Sequence, residues 1–273
     1  MKYFTILSSL LAVVSASPSS ERPVKRALPP NLARDTLALQ TFAKSVSSDP
    51  KGFVKTWVGA NPCAFKGVFC TRRNDAIEGV DINGAHLGGD IHLTNFLEKL
   101  TDIGLLHANS NGFSGDLPDI SGLQNLKELD LSNNKFTSIF PKGIFRAPRL
   151  IYLDLRYNQF QGSLPPGLFH THLDVAFLNN NRFTGDISPE IGKSLISYLN
   201  VANNGLSGAI PESIADMRYL KQGLFMNNAL TGGIPEKLCA KRGIEILDFS
   251  GNRLTQPLGP ACLALKKARR LIV

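Results

Sequence analysis

Apolar residues recur along most of the chain in a pattern that repeats every 23 or 24 residues. Each copy reads apolar-x-x-apolar-x-apolar-x-x-Asn, as in residues 126–134, and another apolar residue follows two positions after the asparagine. A fixed period of this length predicts a solenoid of about eight stacked repeats, the first of them degenerate. The aligned positions are Ala85, Asn111, Asn134, Asn158, Asn181, Asn204, Asn228 and Asn252.

Polar and apolar residues alternate just before each aligned asparagine. Leu129 and Leu131 alternate with Glu128 and Asp130, and this two-residue period is typical of a strand with one buried face. Strands from successive copies would stack about 4.8 Å apart in a parallel sheet. The sequence therefore predicts an α/β leucine-rich-repeat solenoid with a curved parallel sheet, in which the leucines of neighbouring repeats share one core.

The recurring asparagine has a structural interpretation. Its side-chain amide both donates and accepts hydrogen bonds, and so it can satisfy backbone groups in the turn that follows each strand. We therefore expect the aligned asparagines to form a ladder through the solenoid, and we do not count them as a ligand site.

The two ends of the repeat region differ from its middle, as the exposed ends of a solenoid require. Apolar spacing predicts an amphipathic helix over residues 32–46 that stops at Asp49-Pro50, because a residue before proline avoids the helical conformation. The four cysteines form one group at each end. The ends of a solenoid do not meet, and the last two cysteines occupy nearly the same place in adjacent repeats. The favoured disulfides are therefore Cys63–Cys70 and Cys239–Cys262.

The sequence divides into five segments. Residues 1–16 combine a lysine, a short apolar run and small residues at the end, which is typical of a signal peptide. Residues 17–30 contain Lys25-Arg26 and read as a pro-segment or a linker. The remaining segments are an N-terminal cap over 31–76, repeats with a C-terminal capping disulfide over 77–262, and a basic tail over 263–273. No later stretch of the sequence is long and apolar enough to span a bilayer, and a secreted protein is expected.

Charge and candidate chemistry argue against several classes of function. The formal net charge is +8, but much of it lies in residues 1–26 and 266–270, so that no basic face for nucleic acid is predicted. His170 and His172 are a possible metal pair, yet two ligands are too few for a zinc site. The glycine-rich turns lack the signature of a phosphate loop. We therefore expect a binding protein that needs no cofactor or metal and is not an enzyme.

The repeats resemble the plant-type leucine-rich repeat, and residues 57–70, with Trp57, Cys63 and Cys70, resemble its N-terminal cap. Within this class, residues 57–63, 67–70, 106–113 and 153–158 are similar to the repeat domain of the leucine-rich-repeat extensins, and the resemblance covers residues 35–262. It implies an extracellular, cell-wall-associated protein that binds small basic cysteine-rich peptides of the rapid-alkalinisation-factor type. The chain departs from the family in having no Ser-Pro-rich extensin tail, and its leader is similar to those of fungal secreted proteins.

A ligand would meet the sheet residues that alternate with the buried leucines. Carboxylates in the third and fourth repeats would pair with lysine or arginine of a basic peptide, and aromatic side chains in the fourth to sixth would supply contact area. Asp130 and Asp154 could instead serve the turn after the strand, and Arg156 could pair with Asp154 within the chain. The candidate ligand-binding residues are Glu128, Asp130, Tyr152, Asp154, Arg156, Tyr157, Phe177, Tyr198 and Met226.

Three functions are compatible with the sequence. The first is a recognition module that binds a peptide or protein on the concave sheet face and acts in cell-wall organisation or signalling. The second is an inhibitor of a cell-wall-degrading enzyme, similar to the polygalacturonase-inhibiting repeat proteins, which have more cysteines and more repeats. The third is a structural wall protein or a secreted decoy without a small ligand. A cell-wall component is a further possible partner, and the sequence does not predict the oligomeric state.

Overall fold

A computed structural model describes residues 28–94 and 96–273. Its main sheet has ten strands, in which eight repeat strands are flanked by one cap strand at each end. The predicted signal peptide (1–16) and most of the predicted pro-segment (17–30) lie outside the described residues. In chain order the strands are Val68–Cys70, Ile77–Asp81, Leu105–His107, Glu128–Asp130, Tyr152–Asp154, Val175–Phe177, Tyr198–Asn200, Gln222–Leu224, Ile246–Asp248 and Leu271–Ile272.

The repeat strands pair in parallel and in register, so that equivalent positions of successive repeats form straight columns. Asp130 pairs with Asp154 across one strand pair, and Asp154 pairs with Phe177 across the next. Among the ten strands of this sheet, the first alone runs antiparallel to its neighbour, through pairing of Val68 with Val80. The predicted eight-repeat solenoid with a parallel sheet is confirmed.

The inward side chains of the repeats form one continuous core. Leu129 and its equivalents in the other strands are almost fully buried. The apolar residue two positions after each asparagine adds a second layer, and in four consecutive repeats it is phenylalanine. We call these four stacked rings the aromatic spine, and they supply contacts that an isolated repeat lacks. Distances of 6.4, 5.8 and 6.4 Å separate the successive ring centroids of Phe113, Phe136, Phe160 and Phe183.

Asn134 illustrates the role of the aligned asparagine. Its Nδ2 atom donates to the carbonyl oxygens of Ala108 (2.9 Å) and Leu131 (3.0 Å), and its Oδ1 atom accepts from the backbone N–H of Phe113 (3.1 Å). The amide therefore joins its own turn to the preceding repeat and satisfies backbone groups that would otherwise be buried without partners. The predicted ladder is confirmed, since the same bonds recur at Asn158, Asn181, Asn204, Asn228 and Asn252.

Short helices and strands connect the sheet strands on the opposite side of the solenoid. Prolines at or just before most of these helical turns favour their start, because proline fixes φ and lacks the N–H that a first turn leaves unpaired. The connecting 3₁₀ helices are Leu97–Lys99, Lys142–Arg146, Pro166–His170, Pro189–Lys193 and Glu212–Asp216, and two further ones, Val54–Thr56 and Pro62–Ala64, precede the first strand in the cap. The short strands are Ser114–Gly115, Lys135–Phe136, Gln161–Ser163, Arg182–Asp186, Gly205–Ser207, Thr231–Gly232 and Arg253–Leu254.

The N-terminal cap covers the first repeat with a helix and a disulfide-closed loop. The helix spans Pro30–Ser45, which confirms the helix predicted over residues 32–46 to within two residues at each end. Asp49 serves the next turn, where its carboxylate accepts from the backbone N–H groups of Phe53 (2.9 Å) and Lys55 (3.0 Å). The predicted Cys63–Cys70 disulfide is present, with Cα atoms 5.5 Å apart.

The C-terminal end confirms one prediction and corrects another. The predicted Cys239–Cys262 disulfide joins the short helix Glu236–Cys239 to the helix Pro260–Lys267. Residues 263–273 are not a tail beyond the fold, because this helix covers the last repeat and Leu271–Ile272 forms the tenth strand. Leu265 and the first residue of that strand are buried, and these apolar contacts hold a segment in which lysine and arginine dominate the sequence.

Candidate binding face

The outward side chains of the strands from Glu128–Asp130 to Tyr198–Asn200 form an open surface, which we call the candidate face. Its columns follow from the register, which places Tyr152 beside Val175 and Asp154 beside Phe177. Leu153, between Tyr152 and Asp154, is buried. Because neighbours along a strand point to opposite sides, Tyr152 and Asp154 lie on the other face of the sheet. The structure thus brings four predicted residues together: Tyr152, Asp154, Arg156 and Phe177.

Two aromatic rings and a guanidinium form the centre of the candidate face. The rings of Tyr152 and Phe177 meet edge to face, with centroids 6.1 Å apart and planes at 84°. The Cζ atom of Arg156 lies 5.3 Å from the centroid of the Phe177 ring. All three side chains are partly exposed. The arrangement is a mixed aromatic and cationic surface, of the kind that edge-to-face and cation–π contacts stabilise.

Asp154 lies beneath Tyr152 and Arg156, and its carboxylate does not reach solvent. Its side chain is fully buried, and its Oδ2 atom lies 3.0 Å from Nε of Arg156. The same carboxylate accepts from the backbone N–H of Arg156 (3.1 Å) and from the hydroxyl of Tyr152 (3.4 Å). Both roles within the chain that the sequence left open are present, since the carboxylate pairs with Arg156 and also accepts from the backbone of the turn after the strand. Asp154 therefore positions Arg156 and is not placed to touch a ligand.

Burial also changes the acidity of the groups at this centre. Desolvation raises the pKa of Asp154 to about 6, with a smaller contribution from the nearby charge of Asp130. Desolvation, followed by the charges of the same two aspartates, raises the pKa of the Tyr152 hydroxyl to about 12. The tyrosine is therefore neutral at every ordinary pH, whereas Asp154 titrates in a mildly acidic medium.

The two remaining predicted carboxylates are accessible but already engaged. Glu128 is 45% exposed, and its Oε2 atom lies 3.0 Å from Nε2 of His107. Asp130 accepts from the backbone N–H (2.9 Å) and the hydroxyl (2.6 Å) of Ser132. One oxygen of each carboxylate has no hydrogen bond to another described residue. His107 was not among the predicted residues, although it stands four positions before its aligned asparagine, as Asp130 and Asp154 do.

Three predicted residues lie apart from this centre. Tyr198 is partly buried in the sixth repeat, where Nζ of Lys221 lies 5.7 Å from its ring centroid. Met226 is partly buried beyond it, in the seventh repeat. Tyr157 is not on the candidate face, because it lies in the turn after the strand with φ of 54°, and 52% of its surface is exposed. Lys221, like His107, was not among the predicted residues.

Cavities and metal-binding groups do not point to a small-molecule site on the face. A cavity of about 600 Å³ lies at the flank of the first repeats, beside Asn31, Asp102 and Arg149. Within residues 28–94 and 96–273, no group of three or more His, Cys, Asp or Glu side chains could hold a metal ion. Nε2 of His170 contacts Oε2 of Glu190 at 2.7 Å. An open sheet surface suits an extended or folded polypeptide better than a small molecule.

Models of known families match three parts of the chain. Residues 119–160 match a leucine rich repeat model, residues 196–217 match a second leucine rich repeat model, and residues 32–71 match the leucine rich repeat N-terminal domain. The protein therefore carries a leucine-rich-repeat domain with a cap of the same class. In the part of the chain that the structure describes, no helix combines the length and the apolar character needed to cross a membrane.

The repeat domain is of the leucine-rich repeat extensin-like type. Leucine-rich repeat extensin-like protein 2 of Arabidopsis thaliana is 38% identical over 194 residues, which cover 69% of this chain and 24% of the relative. The chain spans between 24% and 40% of the length of the first two such relatives. The resemblance seen in the sequence is confirmed, and it concerns the repeat domain.

Solved structures share the fold of this chain. A chain in the crystal structure of PEPR1-AtPEP1 superposes with a TM-score of 0.77 and 29% identity, covering 87% of this chain and 34% of that one. Plant peptide hormone receptor RGFR1, in complex with RGF2, gives a TM-score of 0.56 and 28% identity over 58% of this chain and 26% of that one. These neighbours confirm the solenoid with its parallel sheet.

Proposed function

We propose that this protein is an extracellular binding protein, not an enzyme, whose candidate face takes a peptide or protein ligand in cell-wall organisation or signalling. The observation that carries the proposal is the cluster of Tyr152, Arg156 and Phe177. A solvent-facing strand position does not require an aromatic side chain, yet two rings and a guanidinium are held together there on packed strands. Aromatic and arginine side chains of this kind dominate the binding energy of interfaces.

A basic, disulfide-bonded peptide is the ligand class that we propose. Glu128 and Asp130 offer carboxylate oxygens at one side of the aromatic centre, where lysine or arginine of a ligand would form charge-assisted hydrogen bonds. Arg156 does not oppose such a ligand strongly, because the buried Asp154 balances its charge. The extensin-type repeat domain supports the same class by resemblance, and the structural neighbour RGFR1, a plant peptide hormone receptor in complex with RGF2, supports a peptide ligand.

The proposal is tested by calorimetric titration with a synthetic peptide of the rapid-alkalinisation-factor type, at low and high salt. We expect binding by the parent protein that weakens as salt increases, since exposed charge pairs are screened. Phe177→Ala and Tyr152→Ala should each lower the affinity by about tenfold or more, the scale of an interface hot spot. Tyr219→Ala is the matched control, because this tyrosine is 48% exposed and lies outside the candidate face.

Two results would contradict the proposal. The first is the absence of binding by the parent protein, which would shift attention to inhibition of pectin-degrading enzymes. The second is an equal loss of affinity in Tyr219→Ala and Phe177→Ala, which would mean that the peptide does not recognise the candidate face. Circular dichroism of each variant shows whether the sheet is intact.

A further inference from the structure

The turn after each repeat strand contains one residue in the left-handed backbone conformation. Asparagine and glycine adopt this conformation readily, whereas a bulky side chain is disfavoured there. In one repeat the position is nevertheless occupied by tyrosine. The φ angles lie between 52° and 57° at Ser110, Asn133, Tyr157, Asn180, Asn203 and Asn227.

Contacts within the chain do not explain the tyrosine. Its side chain is 52% exposed, and its hydroxyl has no hydrogen-bond partner among the residues that the structure describes. A strained residue that gains little packing in return indicates a function for its side chain. Tyr157 therefore points to a contact with another molecule, at a place that the candidate face does not include.

The turns on either side of Tyr157 each carry an asparagine and, two residues later, a cation. The turns of Asn133 and Asn180 stack on either side, through backbone hydrogen bonds of 3.0 Å from Asn133 N–H to Arg156 and from Tyr157 N–H to Asn179. Lys135 and Arg182 follow two residues after these two asparagines. Both cations are exposed, and neither forms an ion pair with another described residue.

A groove runs along the same side of the molecule. It has a volume of about 400 Å³ and is lined in part by Ser110, Asn133 and Lys135. Asn133 and Lys135 therefore border a depression, and the next turn along the solenoid carries Tyr157. We call the five residues Asn133, Lys135, Tyr157, Asn180 and Arg182 the turn edge.

We propose that the turn edge binds an acidic polysaccharide. The tyrosine ring provides a flat apolar surface for the C–H face of a sugar ring. Side-chain amides match sugar hydroxyl groups, because both donate and accept hydrogen bonds. Lys135 and Arg182 supply charge-assisted hydrogen bonds to carboxylate groups of the polymer.

The spacing of these groups also fits a polymer of sugars. Successive turns follow the sheet spacing of about 4.8 Å, which is similar to the length of one sugar unit in an extended chain. Lys135 and Arg182 are two turns apart, with the uncharged Gln159 at the equivalent position between them. In an extended polymer with two-fold symmetry, carboxylates on one side likewise recur at every second unit.

Two other occupants fit less well. A second copy of this chain would bring its own Lys135 and Arg182 to the same place, where these like charges would repel each other. An acidic peptide would gain from apolar pockets for its side chains, whereas the turn edge offers a single aromatic ring between amides. The polysaccharide is therefore the occupant that uses all five side chains.

The test measures binding of the full chain to immobilised polygalacturonate, with fully methyl-esterified polygalacturonate and poly-glutamate as comparison polymers. We expect binding to the first polymer alone. Lys135→Gln combined with Arg182→Gln should weaken it by about tenfold, the scale of two lost charge-assisted contacts at an exposed surface. Tyr157→Asn should also weaken it, although asparagine suits the backbone at this position. The matched control combines Lys142→Gln with Lys237→Gln, two exposed cations outside the turn edge.

Three results would overturn the proposal. Equal weakening by the control pair would mean that net charge alone attracts the polymer. Equal binding of the esterified polymer would mean that carboxylates are not recognised. Equal binding of poly-glutamate, with the same sensitivity to the variants, would indicate an acidic polypeptide as the partner. Because the candidate face is unchanged in all variants, peptide binding there succeeds or fails independently.

Discussion

The guanidinium of Arg156 is held by a carboxylate that solvent does not reach, since Nε lies 3.0 Å from Oδ2 of the fully buried Asp154. The backbone N–H of the same arginine donates to the other oxygen of that carboxylate at 3.1 Å. One buried anion therefore fixes both ends of the arginine and places its charge over the ring of Phe177. The ion pair holds Arg156 in position on the candidate face, and this hold depends on whether the carboxyl of Asp154 is ionised.

Stability should depend on the ionisation of Asp154. Burial raises its pKa from 3.8 to about 6. A carboxyl with a higher pKa in the folded state holds its proton more tightly when folded, so its contribution to stability is complete below the unfolded pKa and is lost as pH rises through about 6. Relative to Asp154→Asn, the parent should gain about 1 kcal/mol in free energy of unfolding from about pH 7 to about pH 5.

Urea unfolding at a series of pH values measures this gain. Asp248→Asn is the matched control, because Asp248 occupies the equivalent column position and accepts from the backbone N–H of Ser250 at 2.9 Å. We expect this control to keep the pH dependence of the parent. If Asp154→Asn keeps it as well, another group carries the titration.

Loss of one ladder asparagine should destabilise the whole solenoid. Asn158 is buried and bonds Phe136 N–H (3.1 Å), the Leu131 carbonyl (2.9 Å) and the Leu155 carbonyl (3.1 Å). Asn158→Ala leaves these groups without partners, and we expect a loss of about 2–4 kcal/mol in free energy of unfolding. Denaturant titration measures it. Asn133→Gly, in an exposed turn that favours glycine, should change stability by less than about 0.5 kcal/mol, and equal effects of the two variants would refute the ladder's energetic role.

Removal of the C-terminal disulfide should loosen the last repeats first. Its cysteines are 23 residues apart in sequence, and replacing both by alanine should cost about 2–4 kcal/mol by the chain-entropy account. Because each repeat contacts only its neighbours, hydrogen exchange should accelerate in the strand Ile246–Asp248 before it does in Tyr152–Asp154. Uniform acceleration along the chain would instead mean that the repeats unfold as a single unit.

Replacement of Tyr157 by asparagine should make the protein more stable. The backbone of this residue is left-handed, with φ of 54°, and a bulky residue costs about 1–2 kcal/mol in that conformation. We expect Tyr157→Asn to raise the free energy of unfolding by about 1 kcal/mol, as measured by denaturant titration. The reverse change in the adjacent turn, Asn180→Tyr, should lower it by a similar amount. A destabilised Tyr157→Asn protein would show that the ring is held by packing.

The fold was predictable because one signal was repeated many times. Leu129 has an equivalent in every repeat, so an error in one copy does not change the inferred strand or its register. The C-terminal strand Leu271–Ile272 was not predictable in this way. It is two residues long, follows a basic segment and lies outside the period, so that only contact with the preceding strand identifies it.

The sequence predicted on which face of the sheet each candidate side chain lies, but it did not predict which of these side chains are exposed to solvent. The alternation with buried leucines placed Tyr152, Asp154 and Phe177 on one face correctly. Whether a side chain on that face reaches solvent depends on its neighbours in adjacent repeats, and Arg156 and Tyr152 close over Asp154. The backbone of Tyr157 likewise depends on the turn, where an asparagine would have signalled the left-handed conformation and a tyrosine does not.

The aromatic spine lies in the first half of the repeat region and gives that half a longer continuous ring stack than the second half. The ring of Phe113 stacks on Phe42 of the N-terminal cap, with centroids 5.6 Å apart, and the stack ends at Phe183. In the next two repeats the position holds Leu206 and Leu230, and the stacked rings of the later repeats are a single pair, Phe225 and Phe249, with centroids 4.9 Å apart. We expect the second to fifth repeats, which the four stacked rings join, to bend less than the sixth to eighth repeats. The candidate face and the turn edge lie mostly on these less flexible repeats. A force applied through a bound ligand or polymer would therefore bend the C-terminal repeats and leave the geometry of both surfaces unchanged.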